Sequence, residues 1–180
     1  LLIDEAYIDF VDPDLNHECL SMINGFDNLV FLRTLSKGYS LAGLRFGYGI
    51  GAESLITPML EKTRDSYNLD LLSQKVAVAG IADQAYAAET WQKTRAERKH
   101  LTDALKSLGF SVLPSQTNFL LITPPSDIGL SALQIQNKLK QNDILVRYFS
   151  TSRLSDRIRI TIGTARENLQ LIETLRSISA

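Results

Sequence analysis

Asn28-Leu29-Val30-Phe31-Leu32-Arg33-Thr34-Leu35-Ser36-Lys37-Gly38 is the stretch on which the fold turns. An apolar run of strand length ends in two hydroxyl residues, a lysine and a glycine. Upstream, Leu1-Leu2-Ile3-Asp4-Glu5-Ala6-Tyr7-Ile8 is another apolar run and reads as a buried parallel strand. Asp12-Pro13-Asp14-Leu15-Asn16 after it carries turn signals. Downstream, Ser36-Lys37-Gly38-Tyr39-Ser40 and Leu41-Ala42-Gly43-Leu44 lead to a third short strand, Phe46-Gly47-Tyr48-Gly49-Ile50. Ser54 is the expected N-cap of a helix with Leu55, Ile56, Met59 and Leu60 on one face. The pattern is that of an α/β sheet.

After a turn at Tyr67-Asn68-Leu69-Asp70, one long helical stretch is expected from about Ser73 to Ser107. Its apolar residues run from Val76 through Trp91 to Leu105, with Arg95, Glu97, Arg98 and Lys99 on the exposed side. A helix of that length can leave one domain and enter another. Gly109 is placed to close it. Short strands at 110–113, 118–122, 144–149 and 157–162 follow, with a helix near Ser131–Gln141. Thr164-Ala165-Arg166-Glu167 fits a capping box for a last helix whose stripe is Leu171, Ile172, Leu175 and Ile178. This second part reads as a small α+β domain.

Composition narrows the function classes. The 180 residues are 44% hydrophobic and 22% charged, which is ordinary for a globular protein. Nineteen Lys+Arg against twenty Asp+Glu leave a net charge of −1, which argues against binding nucleic acid through a broad basic field. No apolar run approaches the ~20 residues of a membrane-spanning helix. A single Cys19 and isolated His17 and His100 point to no metal site. The chain opens in a strand without an initiator Met, so it is expected to be the C-terminal part of a longer protein with a cytoplasmic location.

The chemistry is concentrated at the strand ends. In an α/β sheet, ligands bind at the carboxyl ends of strands. Thr34, Ser36 and Arg45 suit a phosphate dianion, and Lys37 can form a Schiff base with an aldehyde-bearing cofactor. Asp4 could pair with a pyridinium nitrogen or simply cap the loop after its strand, and Tyr7 could be plain core.

Asp4-Glu5-Ala6-Tyr7, Thr34-Leu35-Ser36-Lys37 and Leu41-Ala42-Gly43-Leu44-Arg45-Phe46-Gly47-Tyr48 together resemble the signature of fold-type I pyridoxal-phosphate aminotransferases. Tyr67-Asn68-Leu69-Asp70, Pro114-Ser115-Gln116-Thr117-Asn118-Phe119, Leu145-Val146-Arg147-Tyr148-Phe149, Ile158-Arg159-Ile160-Thr161-Ile162-Gly163-Thr164 and Arg166-Glu167-Asn168 resemble the histidinol-phosphate aminotransferase family. The resemblance implies the C-terminal half of such an enzyme. Residues 1–75 would be the end of the large cofactor-binding domain, 76–106 an interdomain helical segment, and 107–180 the small domain. It implies pyridoxal 5′-phosphate held covalently by Lys37, with Asp4 on the ring nitrogen, Tyr7 on the ring oxygen, and Thr34, Ser36 and Arg45 on the phosphate.

It further implies that Arg159 grips the substrate carboxylate and Arg147 the phosphate of histidinol phosphate, with 2-oxoglutarate and glutamate as the other substrate pair. Family members are homodimers, so the complete protein is expected to be one. The segment with the ring-stacking aromatic, the ring-oxygen asparagine and the glycine-rich phosphate loop lies outside this sequence, so the isolated fragment is expected to be inactive. Other expectations are an aromatic aminotransferase or threonine-phosphate decarboxylase of the same fold, or a non-catalytic cofactor-binding regulatory module. Tyr148 reads equally as site lining or core, and Arg153 and Arg157 read as surface charges.

Overall fold

Strand-forming residues at 30–34 nucleate the first of two sheets in the computed structural model, which describes residues 1–179. β2 (Val30–Thr34) lies between β1 (Leu2–Asp4) and β3 (Gly47–Gly51). β1 runs parallel to β2 with Asp4 opposite Leu32, and β3 runs antiparallel with Gly47 opposite Thr34. The carboxyl ends of β1 and β2, bearing Asp4 and Thr34, therefore lie at the same end of the sheet. β1 is an edge strand among the described residues, and Leu2 is 58% exposed, so the buried strand expected at the start is only half-covered. Phe10, Leu29, Phe31, Leu35, Ala77 and Ala87 form the interior of this first compact unit, Leu1–Trp91.

Helix α1 spans Glu53–Thr63 and is capped at Ala52 without a side-chain bond. Ser54, the expected cap, sits inside its first turn, and Met59 and Leu60 are exposed rather than core. The long helix expected from Ser73 is in fact two, α2 (Leu71–Ala82) and α3 (Gln84–Ser107). Asp83 separates them because its carboxylate accepts the Tyr86 backbone N–H at 3.2 Å, a cap that competes with helix continuation. Asp70 caps α2 with two bonds from Ser73, N–H at 2.8 Å and hydroxyl at 2.6 Å.

The second compact unit, Gln92–Ala180, takes in the remainder of α3. Gly109 ends α3 at φ +84°, a backbone region that costs a β-carbon and suits glycine. Its sheet has the order β4-β5-β7-β6: β4 (Ser111–Val112), β5 (Phe119–Thr123), β7 (Ile158–Thr161) and β6 (Arg147–Tyr148), all antiparallel. α4 (Ala132–Gln141) starts at a Ser131/Gln134 capping box, and α5 (Ala165–Ser179) at the Thr164/Glu167 box read from sequence. Alternation along β5 and β7 sends Leu120, Ile122, Ile158 and Ile160 to one face, where they meet Leu105, Ile135, Leu139 and Leu175 of the helices. Tyr148 packs against this cluster, which resolves its reading in favour of core.

The polar stripe expected on α3 is only partly exposed. Arg98 is buried and donates to the Thr117 carbonyl at 2.9 Å and the Gln116 side-chain oxygen at 3.1 Å. Glu97 accepts from buried Asn168 at 2.8 Å, and Asn168 also bonds both backbone groups of Gly163 at 3.0 Å.

Candidate active site

The first unit holds its chemistry on short segments that leave β1 and β2. Asp4 ends β1 exposed, and its Oδ1 accepts the Ala6 N–H at 2.9 Å. That turn is the loop-capping role, and it leaves the second carboxylate oxygen clear. Asp4, Ala6, Leu32, Arg33, Thr34 and Tyr48 line an open cleft of about 420 Å³. The next residue, Glu5, turns inward instead. Its carboxylate receives Nε of Arg33 at 2.8 Å and a second Arg33 nitrogen at 2.8 Å, with only 4% of the Glu5 side chain exposed.

Lys37 is exposed, with its Nζ 5.6 Å from the centroid of the half-buried Tyr7 ring. The backbone beneath it is pinned on every side. Leu35, fully buried, donates to the Phe46 carbonyl at 3.2 Å and accepts from Leu41 at 3.0 Å. Trp91 donates its indole N–H to the Gly38 carbonyl at 2.8 Å and meets Tyr39 edge-on, with ring centroids 5.5 Å apart. A β-carbon on Gly38 would run into the Asp9 carboxylate, so glycine is required there by close approach. Burial pushes that Asp9 carboxyl up to about 6; Arg33 pulls it down and Glu5 pushes it up.

The hydroxyls divide their work. Thr34 Oγ1 donates to the Phe46 carbonyl at 3.1 Å and accepts the Ser36 N–H at 3.1 Å, so it shapes the loop. The half-buried Ser36 keeps its own hydroxyl open. Arg45 is exposed at φ 54°, and its guanidinium donates to Ala42 O at 3.0 Å. An open amine, an open hydroxyl, a guanidinium and an accessible carboxylate on neighbouring segments form a donor set that fits a phosphorylated aldehyde with a ring nitrogen.

In the second unit, Arg147 and Arg159 are direct cross-strand partners on the face opposite the helices. Arg159 lies between two aromatic rings, 5.2 Å from the Phe119 centroid and 5.9 Å from that of Phe149. Arg147 stacks on the other contact of Phe149 at 5.6 Å. Like charges placed opposite one another destabilise a sheet, and ring faces offset part of that cost. Phe119 and Phe149 were not singled out from sequence for this role. Their signal was the odd–even alternation that puts them on the arginine face. Arg157, read as a surface charge, is half-buried, with an enclosed Nε that has no hydrogen-bond partner.

Comparison with known proteins points the same way. The family model for aminotransferase class I and II matches residues 1–175. Histidinol-phosphate aminotransferase 1 of Trichormus variabilis is 44% identical over 178 residues, 99% of this chain and 49% of that protein. The histidinol-phosphate aminotransferase of Microcystis aeruginosa is also 44% identical, with the same coverage. The crystal structure of histidinol-phosphate aminotransferase from Sinorhizobium meliloti in complex with pyridoxal-5′-phosphate is 27% identical with a TM-score of 0.86, over 99% of this chain and 48% of that one. The chain spans about half the length of the relatives it matches.

Proposed function

The chain belongs to the class I and II aminotransferase family, and on that premise we propose that the full-length protein transfers the amino group of L-histidinol phosphate to 2-oxoglutarate. The products are imidazole-acetol phosphate and L-glutamate, a step of histidine biosynthesis. The observation that carries this reading is the 44% identity to histidinol-phosphate aminotransferases across residues that include the Asp4, Lys37, Arg147 and Arg159 segments.

Pyridoxal 5′-phosphate, when bound, supplies the electron sink for the carbanion left by deprotonation of the substrate carbon. Lys37, Asp4, Tyr7, Thr34, Ser36 and Arg45 would hold it. Lys37, its backbone held through Leu35 and Gly38, would take the proton from the substrate carbon at its Nζ and hand it back one position along. The Asp4 carboxylate, one oxygen of which accepts the Ala6 N–H, would keep a proton on the ring nitrogen. Arg159 receives carboxylate or phosphate in the two half-reactions, and Arg147 receives mainly phosphate. Histidinol phosphate has no carboxylate, so a guanidinium that accepts both anions suits the alternation of substrates.

The full-length protein is proposed to act as a homodimer in the cytoplasm, without nucleic-acid or membrane partners. Among the described residues no helix is long and apolar enough to cross a membrane.

The test uses purified full-length protein. Borohydride should fix pyridoxal phosphate to the wild type and not to Lys37→Ala, and histidinol phosphate should exceed aromatic amino acids as amine donor. Specific trapping in Lys37→Ala would displace Lys37. A preference for aromatic donors, or carbon dioxide release from a phosphorylated amino acid, would replace the substrate assignment.

A further inference from the structure

Two arginines of this fold, Arg33 and Arg98, are held by protein hydrogen bonds, while two others enclose a nitrogen that makes none. Arg33 is bonded to the Glu5 carboxylate, and Arg98, though buried, gives two hydrogen bonds to the Gln116–Thr117 segment. Among the described residues, the buried side-chain nitrogens and oxygens without a hydrogen-bond partner are Nε of Arg157 and Nε of Arg159. Enclosed donors of this kind carry an unpaid desolvation cost, and each needs an explanation.

Their placement supplies one. Arg157 directly precedes β7, and Arg159 lies within it two residues on. Arg157 closes a turn on the Leu154 carbonyl at 3.0 Å, and the two-residue period of β7 carried back to it assigns it the face of Arg159, at a strand spacing of about 6.6–6.8 Å. The intervening Ile158 faces the core with no exposure. This is also the face of Arg147, the cross-strand partner of Arg159. The nearest carboxylate to Arg157 is that of its neighbour Asp156, with Oδ1 3.5 Å from Nε and a side chain 59% exposed. That pair is long and solvent-screened, and adds little. Three guanidinium groups thus lie on or beside one face, two with an Nε that makes no hydrogen bond, and among the described residues the one carboxylate paired with any of them is that of Asp156.

We propose that Arg157 is a third anion-binding residue of this face and, with Arg159, holds the two carboxylates of a dicarboxylic substrate. The proposal rests on the aminotransferase reading above and adds a residue to it. The dimensions agree: four C–C bonds of ~1.5 Å in zigzag separate the end carbons of a five-carbon diacid by about 5 Å. Two guanidinium heads whose strand positions are slightly farther apart can converge on such a pair. A planar fork takes each carboxylate through two N–H donors, and Nε is one of the two. Binding would therefore fill the donors that stand empty. Arg147 remains for the phosphate of the other substrate, so the two half-reactions would use overlapping but different arginines.

The test is calorimetric and needs no turnover. Full-length protein carrying its cofactor is titrated with glutarate, a five-carbon diacid with no amino or keto group, and with butyrate, a monoacid. Arg157→Gln should weaken glutarate binding about 10- to 100-fold, the range for one lost charged hydrogen-bonding contact. It should leave butyrate within about twofold, because Arg159 still takes a single carboxylate. Arg157→Lys should retain part of the glutarate preference, since it keeps the charge and loses the fork.

An unchanged glutarate affinity in Arg157→Gln overturns the proposal, as does an equal loss for both probes. A lowered melting temperature with an unchanged glutarate-to-butyrate ratio also overturns it, because Arg157 would then serve a protein carboxylate. Wild-type transamination of histidinol phosphate is measured alongside. An inactive wild type with Arg157-dependent glutarate binding would sink the proposed function and leave the diacid site standing. An active wild type with Arg157-independent binding would do the reverse.

Discussion

Replacing Asp9 by Asn is expected to make the protein more stable above about pH 6 and to change little below about pH 4. Asp9 is half-buried against Gly38, and burial, partly opposed by Arg33 and reinforced by Glu5, raises its carboxyl from 3.8 to about 6. Between those two values the native state holds a proton that the unfolded chain has released. Stability therefore falls as pH rises through the window, and the whole penalty is present once Asp9 is charged in both states. Below the unfolded value both states are protonated, and the penalty is gone.

At ~1.4 kcal/mol per pKa unit, a rise of this size corresponds to roughly 3 kcal/mol. Solvent screening at a half-exposed group reduces that to about 1–2 kcal/mol. Asparagine has nearly the same shape and no charge to bury, so it should recover that amount at pH 7–8. For a chain of this size or larger, that is a rise in melting midpoint of about 2–8 °C. The measurement is a set of thermal melts of full-length wild type and Asp9→Asn from pH 4 to pH 8. A gap that stays constant across the range would place the effect in packing. A variant less stable than wild type at pH 8 would mean that Arg33 holds the charged form, and the burial argument would be wrong.

Two further outcomes follow from the same site. Glu5→Gln leaves the Arg33 guanidinium without its buried counter-charge, so urea denaturation should show a loss of roughly 3 kcal/mol; a loss below about 1 kcal/mol would class the pair with ordinary surface bridges. Asp4→Asn should cut turnover far more than cofactor affinity, because its backbone bond to Ala6 survives in the amide while the charge on the ring nitrogen does not; equal losses in both would make Asp4 a structural residue.

The parts of the fold legible in the sequence are those set by local chemistry. Gly109 ends its helix, Ser131 and Thr164 cap theirs, and the Ile158–Ile162 alternation lands on the core as period-two patterning demands. Reading failed where a residue's partner lies far along the chain. Arg98 looks like an exposed helix charge until Gln116 and Thr117 arrive to bond it. Asp9 looks like a loop acid until Gly38, twenty-nine residues on, closes over it. Asp83 is a local exception: the run around it favours helix, and one side-chain bond to Tyr86 was enough to break it.

The same distinction explains what was seen of the site. Lys37, Ser36 and Asp4 are singled out by type and position, an amine, a hydroxyl and a carboxylate at strand ends, although Asp4 also caps its loop through the Ala6 N–H. What fixes Lys37 in place comes from elsewhere: the Trp91 indole, the Phe46 carbonyl and the Asp9 carboxylate against Gly38. On the arginine face the order is inverted. Arg147 and Arg159 are recognised through resemblance, whereas the reason they can sit opposite one another is the pair of rings at Phe119 and Phe149. Arg157 pairs with the exposed Asp156 carboxylate at 3.5 Å, and its Nε, enclosed like that of Arg159, makes no hydrogen bond. β7 turns Ile158 and Ile160 to the core and Arg159 and Thr161 to the other face, with Arg157 immediately before it. The proposed affinity of Arg157 and Arg159 for a dianion is the property the glutarate titration isolates.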